Sequence, residues 1–368
     1  MDQKLLDLYS DYLITSFSMA TATGLSSLVE GSYSHDQITR FLGKTRYDQK
    51  TYWKTIKPIV RQVEREEGVL VIDDTIEEKP YTDENDIVCY HYDHSQERLV
   101  KGINIVNFLY HTLLAKEQAF LLPVAFELVA KTEVYQDQKT GKYKRKSPIS
   151  KNELVRERLK ILMQHNRLQV KYIVWDSWFS AKENMTLVKE TLKKDFVAAI
   201  KANRLVALSE QEQREGRFVA ASEVDITAAQ CRLVYLKGVA FPVLLTKQIF
   251  TNKDGSTGIL YLVSSDTSLT YLEITAIYHI RWNVEVFHKS LKQNVALEKS
   301  PTKTIRSQSN HIFAAMIAFI KLEQLKLVHH SNHFALKSRL YLTAIKAAFA
   351  ELQTLSTHPD DFVKFLAA

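Results

Sequence analysis

The chain has 368 residues, 45% hydrophobic and 25% charged, which is typical of a folded globular protein and excludes a disordered or fibrous one. Its net charge of +7 permits a polyanionic partner without requiring one. Two cysteines are too few for a disulfide framework or a cysteine-based zinc site, and they favour a reducing compartment. No apolar run is long enough to span a bilayer and no secretory signal is present, so we expect a cytoplasmic protein without membrane contact.

The amino-terminal segment is helical and cationic, and we predict a helical DNA-binding domain over residues 1–65. Apolar residues recur at helical spacing, and Ser34 is a suitable N-cap for a short helix. The stretch that follows interleaves basic residues with Tyr47, Tyr52 and Trp53, side chains that can meet phosphates and bases. The basic residues assigned to DNA binding are Arg40, Lys44 and Arg46. Taken alone, this stretch also fits a helical subdomain packed on the rest of the protein.

From residue 66 the pattern changes to alternating strands and helices. Short β-branched runs indicate strands, and the S-x-x-E pattern at Ser150 and Glu153 indicates a capping box that begins a helix. The predicted elements are strands at 69–72, 100–114 and 118–129, a helix from 150 to about 164, a strand at 171–176, a helix at 181–194 and a strand at 196–200. This order predicts an α/β fold with a ribonuclease H-like core, a mixed sheet flanked by helices.

The remaining chain divides into an insertion and further helices. Residues 201–270 are mostly β in pattern, and helices are predicted at 271–292 and near 308–327. The predicted domains are therefore the helical region 1–65, a catalytic core of 66–200 and 271–330, a β-rich insertion of 201–270, and a C-terminal helical region of 331–368.

Acidic residues stand at the ends of two predicted strands and on one later helix. The run VLVI leads into Asp73 and Asp74, the strand at 171–176 ends in Asp176, and the helix carries Glu285 among cations. Taken alone, Glu285 fits an exposed i, i+4 ion pair with Arg281. The alternative is that the three acids converge on two Mg²⁺ ions, which take oxygen ligands and support phosphodiester chemistry.

The helix around Glu285 also carries a recognisable pattern. At 100° per residue Tyr278, Arg281, Glu285 and Lys292 share one narrow stripe beside the apolar face, and Lys289 flanks it. The spacing Y-x2-R-x3-E-x6-K resembles the Tyr-Arg-Glu-Lys signature of DDE transposases from bacterial insertion sequences, in particular the insertion sequence four family. VLVIDDT and IVWDSWF resemble that family's first and second motifs, and the resemblance covers about residues 34–327.

The resemblance implies a ligand set and a group of DNA contacts. Asp73, Asp176 and Glu285 would hold two Mg²⁺ ions, for which Mn²⁺ can substitute, with Asp74 as the alternative to Asp73. The DNA contacts expected from the signature helix are Tyr278, Arg281, Lys289 and Lys292. A basic run adds Lys144, Arg145 and Lys146, which fit a phosphate-contacting loop and a solvated face equally well.

The activity implied by the resemblance is cut-and-paste transposition in the bacterial cytoplasm. A homodimer would bind double-stranded DNA, pair two terminal inverted repeats, cleave them through a hairpin and join the ends to target DNA. Two alternatives stay open: a stand-alone metal-dependent nuclease on the same core, and a transposase-derived DNA-binding protein that has lost catalysis.

Overall fold

The computed structural model describes residues 2–44, 47–93, 97–114, 118–227, 229–251 and 254–357. Arg46, one of the predicted DNA contacts, lies outside the described residues. The described helices are α1 (Gln3–Thr15), α2 (Ala22–Leu28), α3 (His35–Lys44), α4 (Gln49–Val63), α5 (Lys151–Lys160), α6 (Lys182–Thr186), α7 (Glu210–Glu215), α8 (Tyr271–His279), α9 (Asn283–Asn294), α10 (Ile305–His329) and α11 (His333–Thr357). None of them is long and apolar enough to cross a bilayer.

Eleven of the described strands form one mixed sheet, and two others form a separate hairpin. The strands are β1 (Val69–Glu78), β2 (Cys89–Asp93), β3 (Arg98–Leu113), β4 (Ala119–Leu128), β5 (Glu133–Gln136), β6 (Tyr143–Lys146), β7 (Tyr172–Trp175), β8 (Asp195–Ile200), β9 (Leu205–Ala207), β10 (Val219–Ala220), β11 (Cys231–Leu236), β12 (Val243–Thr251) and β13 (Thr257–Ser264). The hairpin is β5 with β6.

The centre of the sheet has the topology of a ribonuclease H-like fold. Strands β1, β3 and β4 are consecutive antiparallel neighbours. On its other side β1 pairs in parallel with β7, which pairs in parallel with β8. The spatial order β4-β3-β1-β7-β8 therefore confirms the predicted fold class. Residues 102–112 of β3 are buried throughout, as expected of a strand covered on both faces.

Strand β1 is longer than its apolar run predicts. The strand was predicted over residues 69–72, but it continues to Glu78 because β3 goes on pairing with it beyond the apolar part. Its parallel partner β7 stops earlier, with Ile72 opposite Trp175 as the last pair. Asp73 therefore lies within β1, just past the end of β7.

The predicted β-rich insertion does not form a sheet of its own. Strand β13 pairs antiparallel with β8, and β12, β11, β9 and β10 follow in that order. The insertion thus covers an edge of β8 that would otherwise expose unpaired backbone groups.

The described chain divides into two compact units whose limits differ from the predicted domains. The helical unit comprises residues 1–41, 289–301 and 314–368, and the sheet unit comprises 42–288 and 302–313. Within the sheet unit α4 packs on β4, where the Tyr52 hydroxyl donates to the Pro123 carbonyl at 2.6 Å. Tyr47 and Tyr52 are buried, so their predicted availability to DNA bases is wrong. The alternative of a packed helical segment describes these two side chains.

Two predicted helix starts are confirmed, and one predicted helix is interrupted. Ser34 and Gln37 bond reciprocally at the start of α3, and Ser150 and Glu153 form the predicted capping box. The single helix predicted for 271–292 is wrong, because a 3₁₀ turn at Ile280–Trp282 separates α8 from α9.

Candidate active site

Asp73 is a partly buried carboxylate of the sheet unit, with 14% of its side chain exposed. Its Oδ2 accepts a hydrogen bond from Nη1 of Arg281 at 2.8 Å, and its Oδ1 accepts from the Asp74 amide at 2.8 Å. Burial raises the pKa of Asp73 to about 7; the Arg281 charge opposes this shift, and the charges of Asp176 and Asp74 add to it. The removal of water from this carboxyl is therefore the main cause of the shift, and the neighbouring acids add to it.

Asp176 follows β7 directly and begins a short 3₁₀ turn. Its Oδ1 accepts a hydrogen bond from the Trp178 amide at 3.0 Å. Burial raises the pKa of Asp176, Arg281 opposes the shift, and Asp74 adds to it. Asp73 and Asp176 each follow the last residue pair between two parallel strands, so both lie at the same edge of that pairing.

Arg281 links the acids of this site. Its side chain is 13% exposed, and Nη1 lies 2.8 Å from Asp73 and 3.9 Å from Oε1 of Glu285. Burial lowers the pKa of Arg281, but Tyr278, Asp73, Asp176 and Glu285 more than offset this, so the net shift is upward. Its Nε is buried without a hydrogen-bond partner among the described residues.

Tyr278 is buried beside the guanidinium, whose central carbon lies 5.8 Å from the phenol ring centroid. Burial raises the pKa of Tyr278 to about 12, so the hydroxyl keeps its proton at neutral pH. The structure thus brings together four predicted residues, listed here: Asp73, Asp176, Tyr278 and Arg281.

Glu285 lies at the rim of the site, and its side chain is 55% exposed. A straight helix would put Glu285 and Arg281 on one stripe. The intervening 3₁₀ turn advances about 120° per residue instead of 100°, so it rotates Arg281 relative to α9. Arg281 is consequently buried against Asp73 while Glu285 faces outward, and the predicted common stripe needs this correction.

Asp74 has a different set of partners. Its carboxylate binds Nζ of Lys151 at 2.9 and 3.0 Å and accepts from the Asn104 amide at 2.6 Å. The same Lys151 ammonium lies 4.9 Å from the ring centroid of Trp178. Sequence patterns missed Lys151 and Asn104, because only the three-dimensional pairing brings them to this carboxylate.

Two more polar residues near Asp73 were also missed. Asn107, the cross-strand partner of Asp73, is fully buried, and its Nδ2 lies 3.1 Å from Nε2 of His288. His288 follows Glu285 by three residues on α9, a spacing that could have indicated a shared helix face. The Oδ1 of Asn107 has no hydrogen-bond partner among the described residues.

The predicted DNA contacts of the basic run all lie on β6 of the hairpin, and each is paired with an acid. Lys144 and Lys146 are exposed, and Arg145 is half-buried. Lys144 lies 2.6 Å from Asp137, Arg145 lies 2.9 Å from Asp86, and Lys146 lies 3.2 Å from Glu133. The segment is therefore an ion-paired ribbon rather than an irregular loop.

The other predicted DNA contacts lie on α3 and on α9. Arg40 and Lys44 are exposed on α3. In the helical unit, Lys289 lies 5.2 Å from the ring centroid of Phe334, and Lys292 lies 3.2 Å from Glu298.

A divalent cation suits the buried acids even though no ready-made ligand cluster is present. Among the residues that the structure describes, no three His, Cys, Asp or Glu side chains are arranged to hold a metal ion. Asp73 and Asp176 nevertheless provide hard oxygen donors whose pKa values are raised by burial, and Asp176 adds its charge at Asp73. Such mutual repulsion is what a cation relieves.

The chain belongs to the DDE superfamily endonucleases, because the family profile with that description matches residues 2–218, more than half of the chain. The matched range includes Asp73 and Asp176 and ends before Glu285. A solved structure similar in part is the Drosophila P element transposase strand transfer complex, with 12% identity and a TM-score of 0.26, covering 50% of this chain and 35% of that chain. The chain thus spans well under two thirds of that relative's length. No curated protein gives a significant match.

Proposed function

We propose that the protein is a DNA transposase that cleaves transposon ends and joins them to target DNA. One observation carries the proposal: in a chain of the DDE endonuclease family, two partly buried carboxylates lie within the influence of one guanidinium, because Arg281 bonds to Asp73 and its charge acts on Asp176. We further propose that it belongs to the insertion sequence four group, and the Tyr-Arg-Glu-Lys spacing supports this.

The proposed metal ligands are Asp73, Asp176 and Glu285. Asp73 is preferred to Asp74 because it contacts Arg281, whereas Lys151 and Asn104 already engage Asp74. Two Mg²⁺ ions, or Mn²⁺ in their place, would supply an activated nucleophile and a stabilised leaving oxygen when bound.

The neighbouring residues act by charge and position. Arg281 offsets the charge of Asp73 in the free protein, and its planar guanidinium is suited to a phosphate when DNA enters. Tyr278 is rigidly packed and protonated, so it can orient a nucleotide beside the cleaved bond. Glu285, which is exposed at the rim, would be the third ligand of the set.

The remaining basic residues are proposed to hold the DNA backbone. They are Arg40, Lys44, Arg46, Lys144, Arg145, Lys146, Lys289 and Lys292. In the hairpin, phosphates would exchange with the carboxylates that now pair with the cations, so the net gain per contact is small. The proposed substrates are double-stranded terminal inverted repeats and target DNA, bound by a homodimer in the bacterial cytoplasm and cleaved through a hairpin.

The reaction products distinguish this proposal from its alternatives. The full-length protein is incubated with Mg²⁺, labelled DNA that carries the element's terminal repeats, and an unlabelled target plasmid. A transposase cleaves at the repeat ends and transfers the label to the plasmid. Cleavage without transfer would indicate the stand-alone nuclease, and binding without cleavage would indicate the inactive DNA-binding protein.

A further inference from the structure

A cleft of about 450 Å³ opens at the carboxyl ends of two parallel strands in the sheet unit. Strands β7 and β8 pair in parallel with Trp175 opposite Ala198, so the residues after both strands meet at one edge. The cleft therefore begins directly after Asp176. Its charged and polar lining includes Ser177, Trp178, Lys201, Asn203, Arg204 and Lys237.

The lining of this cleft is cationic. Three basic residues, Lys201, Arg204 and Lys237, line it, and no acid does. In the part of the chain that the structure describes, none of the three forms an ion pair, unlike the cations of the β5–β6 hairpin. The Lys237 ammonium lies 5.6 Å from the ring centroid of Phe218. Their charge is thus available to a ligand.

Arg204 is the least satisfied of these cations. Its Nε and Nη2 are buried and have no hydrogen-bond partner among the described residues. Burial also lowers the pKa of Arg204, because desolvation disfavours the charged form, and the charge of Glu183 offsets only part of this shift. A buried guanidinium without an acceptor is costly, and an anion in the cleft would offset that cost.

The insertion builds one wall of the cleft. Arg204 precedes β9, and Lys237 lies in the turn between β11 and β12. The next residue, Gly238, has φ +81, and a Cβ there would lie 3.0 Å from the Lys182 side chain. The turn is therefore held close to the start of α6, which keeps Lys237 at the cleft.

We infer that this cleft binds consecutive phosphates of a DNA strand that runs from the cleaved bond past Asp176 and onto the insertion. The identity of the ligand as DNA rests on the proposed function. The recognised chemistry is the phosphodiester anion, which a single strand and a duplex share. The insertion then has a role of its own, as an extension of the backbone-binding surface beyond the core sheet.

The salt dependence of DNA binding tests this inference. Lys201→Gln and Lys237→Gln are made in the full-length protein, and binding to mixed-sequence duplex and single-stranded DNA is measured without divalent metal. Each lost contact should reduce the slope of log K against log salt by about 0.9 on duplex or about 0.7 on a single strand. If the slope falls on duplex DNA, the bound segment is double-stranded; if it falls on single-stranded DNA, the bound segment is a single strand.

Lys193→Gln is the matched control, because Lys193 is exposed just before the start of the same strand β8, at its opposite end. Its salt slope should equal that of the wild type. The inference is overturned if Lys201→Gln and Lys237→Gln also keep the wild-type slope on both DNA forms.

Neutral phosphate analogues locate the contact and separate it from the proposed function. A single methylphosphonate at the contacted position should weaken binding by the wild type and leave binding by Lys201→Gln unchanged. Equal weakening of both proteins at every position would overturn the inference. Mg²⁺-dependent cleavage by the wild type is scored separately, so a failed cleft and a failed transposase assignment give different results.

Discussion

At the residue scale, two adjacent aspartates of β1 have different surroundings. Successive side chains of a strand point to opposite faces. Asp73 meets Arg281, and Asp74 meets Lys151 and Asn104. The sequence left the choice between them open because both faces of a central strand are covered, so burial could not decide. The identity of the partners favours Asp73 as the metal ligand.

Exchanging each aspartate for asparagine tests this preference. We expect Asp73→Asn to slow single-turnover DNA cleavage by at least about a hundredfold, since metal stabilisation amounts to several kcal/mol. Asp74→Asn should lower the cleavage rate less than Asp73→Asn does. Its effect should arise because the Lys151 ammonium loses its carboxylate partner. A larger loss for Asp74→Asn, with both variants folded by circular dichroism, would reverse the assignment.

The raised pKa of Asp73 makes stability depend on pH in an unusual direction. The folded pKa of about 7 exceeds the unfolded value of about 3.9, so the folded state holds the proton more tightly. This contribution to stability is fully present below about pH 4 and is lost as the pH rises toward and through 7. Asp73→Asn should therefore be more stable than the wild type at pH 8 without metal.

Thermal unfolding at pH 5 and pH 8 measures this effect. Between these values the melting temperature should fall further for the wild type than for Asp73→Asn. Added Mg²⁺ should recover the loss in the wild type at pH 8, because it binds the ionised carboxylate, and should have little effect on the variant. Identical pH profiles for the two proteins would contradict the burial argument.

At the scale of elements, the sequence showed that the segment of the hairpin β5–β6 is basic, but it did not show that these cations form ion pairs. Two of the acids that neutralise it, Glu133 and Asp137, lie in or next to β5, and the third, Asp86, comes from a distant part of the chain. Likewise, the periodicity of the signature helix gave no sign of its 3₁₀ turn, because a single tightened turn leaves the apolar repeat on either side almost unchanged.

Releasing one hairpin cation should strengthen DNA binding. Lys144 binds Asp137 at 2.6 Å, and the contact holds the pKa of that carboxyl far below its usual value. Asp137→Asn should raise DNA affinity by up to a fewfold at low salt, since an exposed pair is weak. Asp254→Asn, which changes an exposed turn acid elsewhere, is the control. Equal affinity of the two variants would exclude the hairpin from DNA contact.

A buried polar chain joins three helices of the helical unit. His333 lies 2.8 Å from the Ser290 hydroxyl and 2.9 Å from Glu323, and all three are buried. His333→Ala should lower the free energy of unfolding by about 1–3 kcal/mol, because Glu323 loses a buried partner. Denaturant unfolding measures the change, and the exposed His329→Ala should unfold like the wild type.

At the scale of the whole molecule, the order of strands and helices was predictable from the sequence. Buried parallel strands leave continuous β-branched runs, and capping boxes mark helix starts, so the core was readable locally. The pairing of the insertion with β8 could not be predicted from the sequence, because it depends on which edge of the core sheet is left uncovered. The grouping of 1–41 with 289–301 and 314–368 was equally hidden, since it arises from contacts between distant segments.

Asp73, Asp176 and Glu285 are proposed to act together in metal-dependent DNA cleavage. The test is single-turnover cleavage of terminal-repeat DNA in Mg²⁺ by Asp176→Asn and Glu285→Gln, with the exposed Glu190→Gln as control. We expect both site variants to bind DNA like the wild type and to lose at least about a hundredfold in cleavage rate, and we expect the control to be unaffected. Wild-type cleavage by Glu285→Gln would contradict it.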